Sequence, residues 1–176
     1  DDATGANPGG SITVTGIDDS NFNISGLTAG GSGGSGSVGN VSSTISGAVT
    51  LHGSTNLGNL ALTVADDATL TLSSSQAGTR SISSSGGGSD NGNVTVTSVG
   101  NSTNVGSISL NNGSLIAKLA DGANISGNGN LGNVDNYQLD ASDVTMNRAQ
   151  HALINSASGG NNTVTLSDAG ATTANS

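Results

Sequence analysis

Cysteine, tryptophan and glutamate are all missing from this chain. Without cysteine there can be no disulfide staple, thiolate metal site or cysteine nucleophile. Aromatic residues are reduced to Tyr137 and Phe22. Polysaccharide-cleaving enzymes on β-helices use grouped acids with Lys or Arg and sugar-stacking aromatics, so this shortage argues against such an enzyme. Positive charge is confined to Lys118, Arg80 and Arg148. Too few cations remain to neutralise phosphates, which argues against nucleic-acid binding. Glu and Lys are the usual residues of helix surfaces, and their scarcity argues against long helices. No apolar run approaches the ~18 residues of a membrane span, so membrane insertion is not expected. The net charge is −9, carried by aspartate. A surface of that sign repels anionic membranes and polyanions and suits a secreted protein.

What fills the chain instead is small. Of 176 residues, 29 are Gly, 48 are Ser or Thr and 22 are Asn, while Leu, Ile, Val and Phe together number 36. That apolar content lies at the edge of disorder, but disorder also needs a high net charge per residue, which is lacking. A core made from so few apolar residues must be thin. A β-solenoid builds one by taking one or two inward side chains from each strand into a continuous stack.

One stretch occurs twice. Asn56-Leu57-Gly58-Asn59-Leu60 returns 74 residues later as Asn130-Leu131-Gly132-Asn133-Val134. The register then holds without a gap: Asp66 matches Asp140, Leu70 matches Val144, Leu72 matches Met146 and Gln76 matches Gln150. Across 51–77 and 125–151, eight of 27 positions are identical and five more exchange one apolar residue for another. These observations predict a tandem repeat. The units run 1–26 (the end of a preceding repeat), 27–100 and 101–176.

Period-two alternation marks the strands. The pattern of 10–17 recurs at 92–99 and at 162–167. Further short strands centre on Phe22–Ile24 with Leu27, Val41, Ile45, Val49–Leu51, Leu60–Val64, Leu70–Leu72, Ile108–Leu110, Leu115–Leu119, Ile125, Leu131–Val134, Tyr137–Leu139 and Val144–Met146. The Gly/Ser tract from Ala29 to Gly39 reads as a long solvent-facing turn within the repeat. One short helix is expected per repeat, at Ser73–Ala77 and at Asn147–Ile154. Ser73 and Asn147 serve as N-caps, with Gln76 and Gln150 three residues on, as in a capping box. The second helix is expected to gather Ala149, Ala152 and Leu153 on one face.

Taken together, Val144-Thr-Met, Ala149-Gln-His and the run from Asn162 to Gly170 resemble the repeats of large bacterial surface proteins. These are β-strand-repeat adhesins, S-layer-like proteins and biofilm-matrix proteins. The resemblance implies an exported, non-catalytic protein, often stabilised by calcium, and it carries no catalytic residue over to this chain.

Several motifs invite a chemical reading. Ser32 lies in a literal Gly-x-Ser-x-Gly, but a nucleophile elbow needs a strand before it and a helix after it, and here both flanks are Gly and Ser. His52 and His151 do not occupy matching repeat positions and belong to no metal-ligand cluster. Asp and Asn shape turns by hydrogen-bonding their own backbone. A calcium ion, which wants six to eight oxygens, is the alternative use of the Asp-rich turns, with Asp66, Asp140 and Asp143 as its ligands. Thr-x-Thr recurs at Thr13/Thr15, Thr69/Thr71, Thr95/Thr97 and Thr163/Thr165. Stacked in one file these pairs would make a flat ice-binding face, but they fall in different parts of the repeat.

The expectation is an all-β repeat protein, a β-solenoid of tandem ~74-residue units, with a β-sandwich as the alternative. Its expected role is structural: a non-catalytic, extracellular subunit of a bacterial fibre, surface layer or adhesin stalk. Uncapped ends would pair with other copies through open strand edges. The alternative is a binding module, an adhesin tip with a glycan or surface ligand, or an ice-binding face.

Overall fold

The computed structural model describes residues 12–13, 41–58, 60–78, 80–85, 91–140, 142–159, 161–168 and 174–175. They form a β-solenoid of about six turns. In chain order the elements are β1 (Ile12–Thr13), β2 (Val41–Ile45), β3 (Ala48–Thr50), β4 (Ala61–Val64), β5 (Thr69–Ser73), α1 (Ser74–Ala77), β6 (Ile82–Ser84) and β7 (Asn93–Val99). They continue with β8 (Ile108–Ser109), β9 (Leu115–Leu119), a 3-10 turn (Gly129–Leu131), β10 (Asn136–Asp140), β11 (Asp143–Met146), α2 (Arg148–His151), β12 (Ile154–Ser158), β13 (Thr163–Leu166) and β14 (Ala174–Asn175).

The strands stack into three sheets, ordered β1-β2-β4-β6-β8, β12-β10-β9-β7-β5-β3 and β11-β13-β14. Every strand pair is parallel except β13–β14. A sandwich of hairpins is thereby set aside. Parallel neighbours need a long return path, and here the return path is the rest of one coil. In-register partners in the second sheet are Val49 and Leu70, Leu70 and Val94, and Val94 and Leu115, a coil of 21 to 24 residues, which shortens to 20 from Ile116 to Asn136 and to 18 from Gln138 to Ser156.

Alternation decides what each strand buries. In β5 Leu70 and Leu72 are buried, in β7 Val94 and Val96, and in β9 Leu115, Ala117 and Leu119. Register turns these into files. Leu72 stacks on Val96, Val96 on Ala117 and Ala117 on Tyr137. In the first sheet Leu62 stacks on Ile82 and Ile82 on Ile108. The core is therefore a column of aliphatic side chains spaced at the interstrand distance of about 4.8 Å.

The first sheet tapers along the axis. Its strands β2, β4, β6 and β8 shorten from 5 to 4 to 3 to 2 residues. Past β8 none of the described strands joins that sheet. The chain passes from the 131–134 turn directly into β10, which pairs with β9, and the third sheet opens with Thr145 bridging Asn124.

Two glycines hold a corner by being glycines. A Cβ on Gly92 would lie 2.7 Å from the Ala65 carbonyl oxygen and 2.9 Å from Val64 Cγ1. A Cβ on Gly113 would overlap the Gly92 carbonyl. Three successive coils thus touch backbone to backbone here.

The structure departs from the sequence-based expectations at several points. Residues 131–134 form a turn, not a strand. Leu131 and Val134 are buried as expected, but at i and i+3 of a turn closed by the Val134 N–H on the Leu131 carbonyl at 3.1 Å. The α2 helix ends at His151 and does not reach Ile154, which opens β12. Ala149, Ala152 and Leu153 are all exposed, so they form no buried face. Pairing of β12 with β10 prevails over helical periodicity there. The expected lack of a terminal cap also fails for one sheet, because β14 lies antiparallel on β13 and covers the Thr163 and Val164 positions. The Gly/Ser tract, Phe22–Leu27 and most of the opening strand lie outside the described residues.

Candidate functional site

Each coil turns twice after its second-sheet strand, and at both corners polar side chains tie one coil to the one before. The first corner is a four-residue turn. It is closed by the Thr55 N–H on the His52 carbonyl at 2.9 Å, by Thr103 on Gly100 at 3.2 Å and by Asn128 on Ile125 at 3.0 Å. In two coils the helices α1 and α2 take its place. Both begin with a full capping box, Ser73 with Gln76 and Asn147 with Gln150, as the sequence predicts.

The same glutamines have a second task. Gln76 Nε2 donates to the His52 and Thr55 carbonyls of the previous coil at 2.8 and 3.2 Å. Asn128 Nδ2 donates to Thr103 and, less closely, to Gly100, at 2.9 and 3.5 Å. Gln150 Nε2 donates to Ile125 at 2.8 Å. A carboxamide suits this position because one oxygen closes the local turn while the nitrogen satisfies the neighbouring coil. Among the described residues no buried side-chain nitrogen or oxygen is left without a partner.

The second corner follows immediately, as turns 57–60, 77–80, 105–108 and 131–134. Here Arg80 reaches back across the 57–60 turn. Its Nη1 donates to the Leu60 and Leu57 carbonyls at 2.7 and 3.4 Å, and its Nη2 to Gly58 at 3.0 Å. Its Nε donates to Gln76 at 3.0 Å. Burial presses its pKa below the ordinary arginine value, yet a guanidinium stays charged at any physiological pH. Beside Arg80 lies a cleft of about 340 Å³, lined also by Gly58, Ser75 and Ser81. A second cleft, of about 280 Å³, lies under α2 and is more apolar, with Leu131, Val134, Tyr137 and Leu153 in its wall. Gly58, Ser75 and Gln76 line the first; Gly132, Ala149 and Gln150, each 74 positions later, line the second. The Tyr137 phenol is buried and held above its ordinary pKa by desolvation, which a hydrogen bond with Gln150 partly offsets.

The aspartates expected to hold calcium are placed as follows. Asp66 is exposed in the turn after β4 and accepts the Asn91 N–H at 2.9 Å. Asp140 pairs with Lys118 Nζ at 2.7 Å, and its pKa is lowered chiefly by that bond. Asp143 lies next along the chain, at the start of β11, where its N–H donates to the Asp121 carboxylate at 2.9 Å. Among the described residues no group of three or more His or Asp side chains is placed to hold a metal ion. Side-chain oxygens of Asp66, Asp121, Asp135 and Asp168 each accept a backbone N–H from another coil. Sequence reasoning finds such residues as turn formers and misses this inter-coil role, since the partner lies 20 to 25 positions away.

The histidines are not brought together with acids. His52 Nδ1 meets the Ser54 hydroxyl at 2.8 Å in an exposed turn, and His151 ends α2. Ser32 and its glycines lie outside the described residues, as do Asp18 and Asp19.

The threonine pairs are partly united. β5 and β7 are neighbours, so Thr50 stacks on Thr71 and Thr71 on Thr95, with Thr69 beside Asn93 and Ser73 beside Thr97. The expectation that these pairs belong to separate parts of the fold fails for Thr69/Thr71 and Thr95/Thr97. It holds for Thr163/Thr165, which lie on the third sheet.

Comparison with protein-family models, with curated proteins and with solved structures finds no match for this chain.

Proposed function

We propose that the chain is a non-catalytic structural protein of a bacterial exterior, a subunit of a fibre, surface layer or adhesin stalk that joins other copies through strand edges. The observation that carries this reading is β12. It is the last strand of the six-stranded sheet. Residues 155–158 are exposed, and β12 contains neither a charged residue nor proline. Natural edges are blunted by such residues or covered; β13 is covered by β14, and β12 has no strand beyond it among the described residues. Leu153, just before it, is 40% exposed. The tandem ~74-residue unit with one helix each belongs to the same proposal. It is supported by the two capping boxes and by the equivalent positions lining the two clefts.

Sedimentation velocity over a concentration series, with negative-stain microscopy, tests assembly. Concentration-dependent oligomers or filaments are expected for the wild-type chain, and Ala157→Lys should suppress them. A wild-type chain that stays monomeric at the highest concentrations would refute edge-mediated assembly.

A second reading, a binding face, is favoured by the Thr50–Thr71–Thr95 file, whose threonines repeat in register from strand to strand. Ice is the surface such a regular array suits. Thermal hysteresis measured for the wild type and for Thr71→Lys tests it; no hysteresis in the wild type removes it.

A further inference from the structure

Two corners of the same kind are capped by chemically different side chains. Asn133 Nδ2 donates to Val105 and Ile108, the first and last residues of their turn, at 2.9 and 2.6 Å. Arg80 donates to Leu57 and Leu60, the first and last residues of the equivalent turn. A neutral carboxamide is therefore enough to cap this corner. The guanidinium brings a full positive charge that the corner does not need.

No carboxylate among the described residues pairs with that charge. Lys118 is matched by Asp140, whereas Arg80 has no carboxylate partner among the described residues, in a chain with twelve aspartates. The four carbonyls it caps use Nε–H, both Nη1 hydrogens and one of the two on Nη2. One Nη2–H is left over. The cleft of about 340 Å³ lies beside it, with Ser75 and Ser81 in its wall. The Ser75 hydroxyl also meets that of Ser73 at 2.9 Å, and a hydroxyl can donate and accept at once.

We propose that this cleft binds a small carboxylate of about the size of a sugar acid. The volume sits at the low end of ligand clefts, roughly 300–1,000 Å³, which suits a single ring. The carboxylate takes the unpaired charge and the free N–H of Arg80, a charge-assisted bond, and ring hydroxyls meet Ser75 and Ser81. A single negative charge is specified because the −9 chain repels polyanions at long range. This inference is independent of self-assembly: a ligand cleft at a corner neither needs nor forbids strand pairing at β12.

The test is amide NMR titration of the full chain with galacturonate, with galactose as the uncharged control and acetate as the bare carboxylate. Galacturonate at millimolar concentration should shift the Gly58, Gly78 and Ser81 resonances, and galactose should leave them in place. Acetate acting as strongly as galacturonate would still support a carboxylate site and would show that the ring adds nothing. Arg80→Gln keeps an amide of the kind Asn133 uses and removes the charge; its affinity should fall about tenfold or more. If that variant does not fold, Ser81→Asp adds a negative charge at the exposed rim without touching the carbonyl caps, and should give the same loss. Equal shifts with galactose, no shifts with galacturonate, or unchanged affinity in a folded variant would each overturn the proposal.

Discussion

Tyr137 stacks in register on Ala117, so the one phenol of the chain occupies space left by a methyl group. Both are buried, at 1% and 0% exposure. The file below them, Leu72 and Val96, narrows toward Ala117. A larger residue at 117 must displace the ring or the coil. Ala117→Leu is expected to destabilise the fold by about 1–3 kcal/mol through overpacking. Urea unfolding of the two proteins checks this; an unchanged midpoint would mean that the column has slack.

The same phenol titrates visibly. With one Tyr and no Trp, absorbance near 295 nm reports Tyr137 alone. Burial raises its folded-state pKa above the unfolded value of about 10. A raised folded pKa gives stability that is complete below the unfolded value and is lost as pH rises through the folded one. The native midpoint should therefore exceed that measured in denaturant. Thermal stability should begin to fall above about pH 10, and Tyr137→Phe should remove that part of the loss.

Gln76 closes the α1 capping box and satisfies two carbonyls of the previous coil. Replacing it with leucine preserves bulk and strands those partners. The expected cost is about 2–3 kcal/mol, from unsatisfied buried acceptors and a lost cap. Gln150, half-buried and donating to the Ile125 carbonyl of the coil before it, should cost less. Equal losses in thermal or urea melts would show that burial does not set the difference.

Gly113 permits a close backbone approach between coils. Gly113→Ala places a methyl against the Gly92 backbone carbonyl, which has no flexible end to move. The expected outcome is loss of cooperative unfolding by calorimetry, whereas Gly47→Ala meets no neighbour and suffers only its positive φ of 79°. The latter should cost about 1 kcal/mol.

The Lys118–Asp140 pair gives a small effect of known sign. The ammonium holds the Asp140 carboxyl below its ordinary value, so the pair stabilises above the unfolded aspartate pKa and is lost as pH falls below about 4. Carboxyl NMR should show the Asp140 midpoint rising in Lys118→Met. The neutral-pH melt should barely move, since both side chains are solvated.

The class of fold was written in the residues themselves. Alternating aliphatics at 70–72, 94–96 and 115–119 commit those segments to strands with one buried side, because the strand period leaves no other face for them. The capping boxes at Ser73 and Asn147 are equally local, needing only residues three apart. Three strands escaped notice, β6, β12 and the two-residue β14. β6 offers one long aliphatic, Ile82, in a run of serines, and β12 also offers one, Ile154, which the helix expected at Asn147–Ile154 took in. The candidate site was hidden for a related reason. Arg80 is a lone cation in the sequence, and its meaning depends on carbonyls 20 to 23 residues away.

Composition and periodicity alone determined that this chain would form short strands burying small aliphatic side chains in a thin core, since every contribution to that outcome acts within a few residues. Which strand sits on which, where the first sheet dwindles and the third begins, and which polar group meets which carbonyl were decided only by the folded coil. Coil lengths vary from turn to turn, so register between neighbouring rungs is set by packing and hydrogen bonding across about 20 intervening residues, which no local pattern encodes.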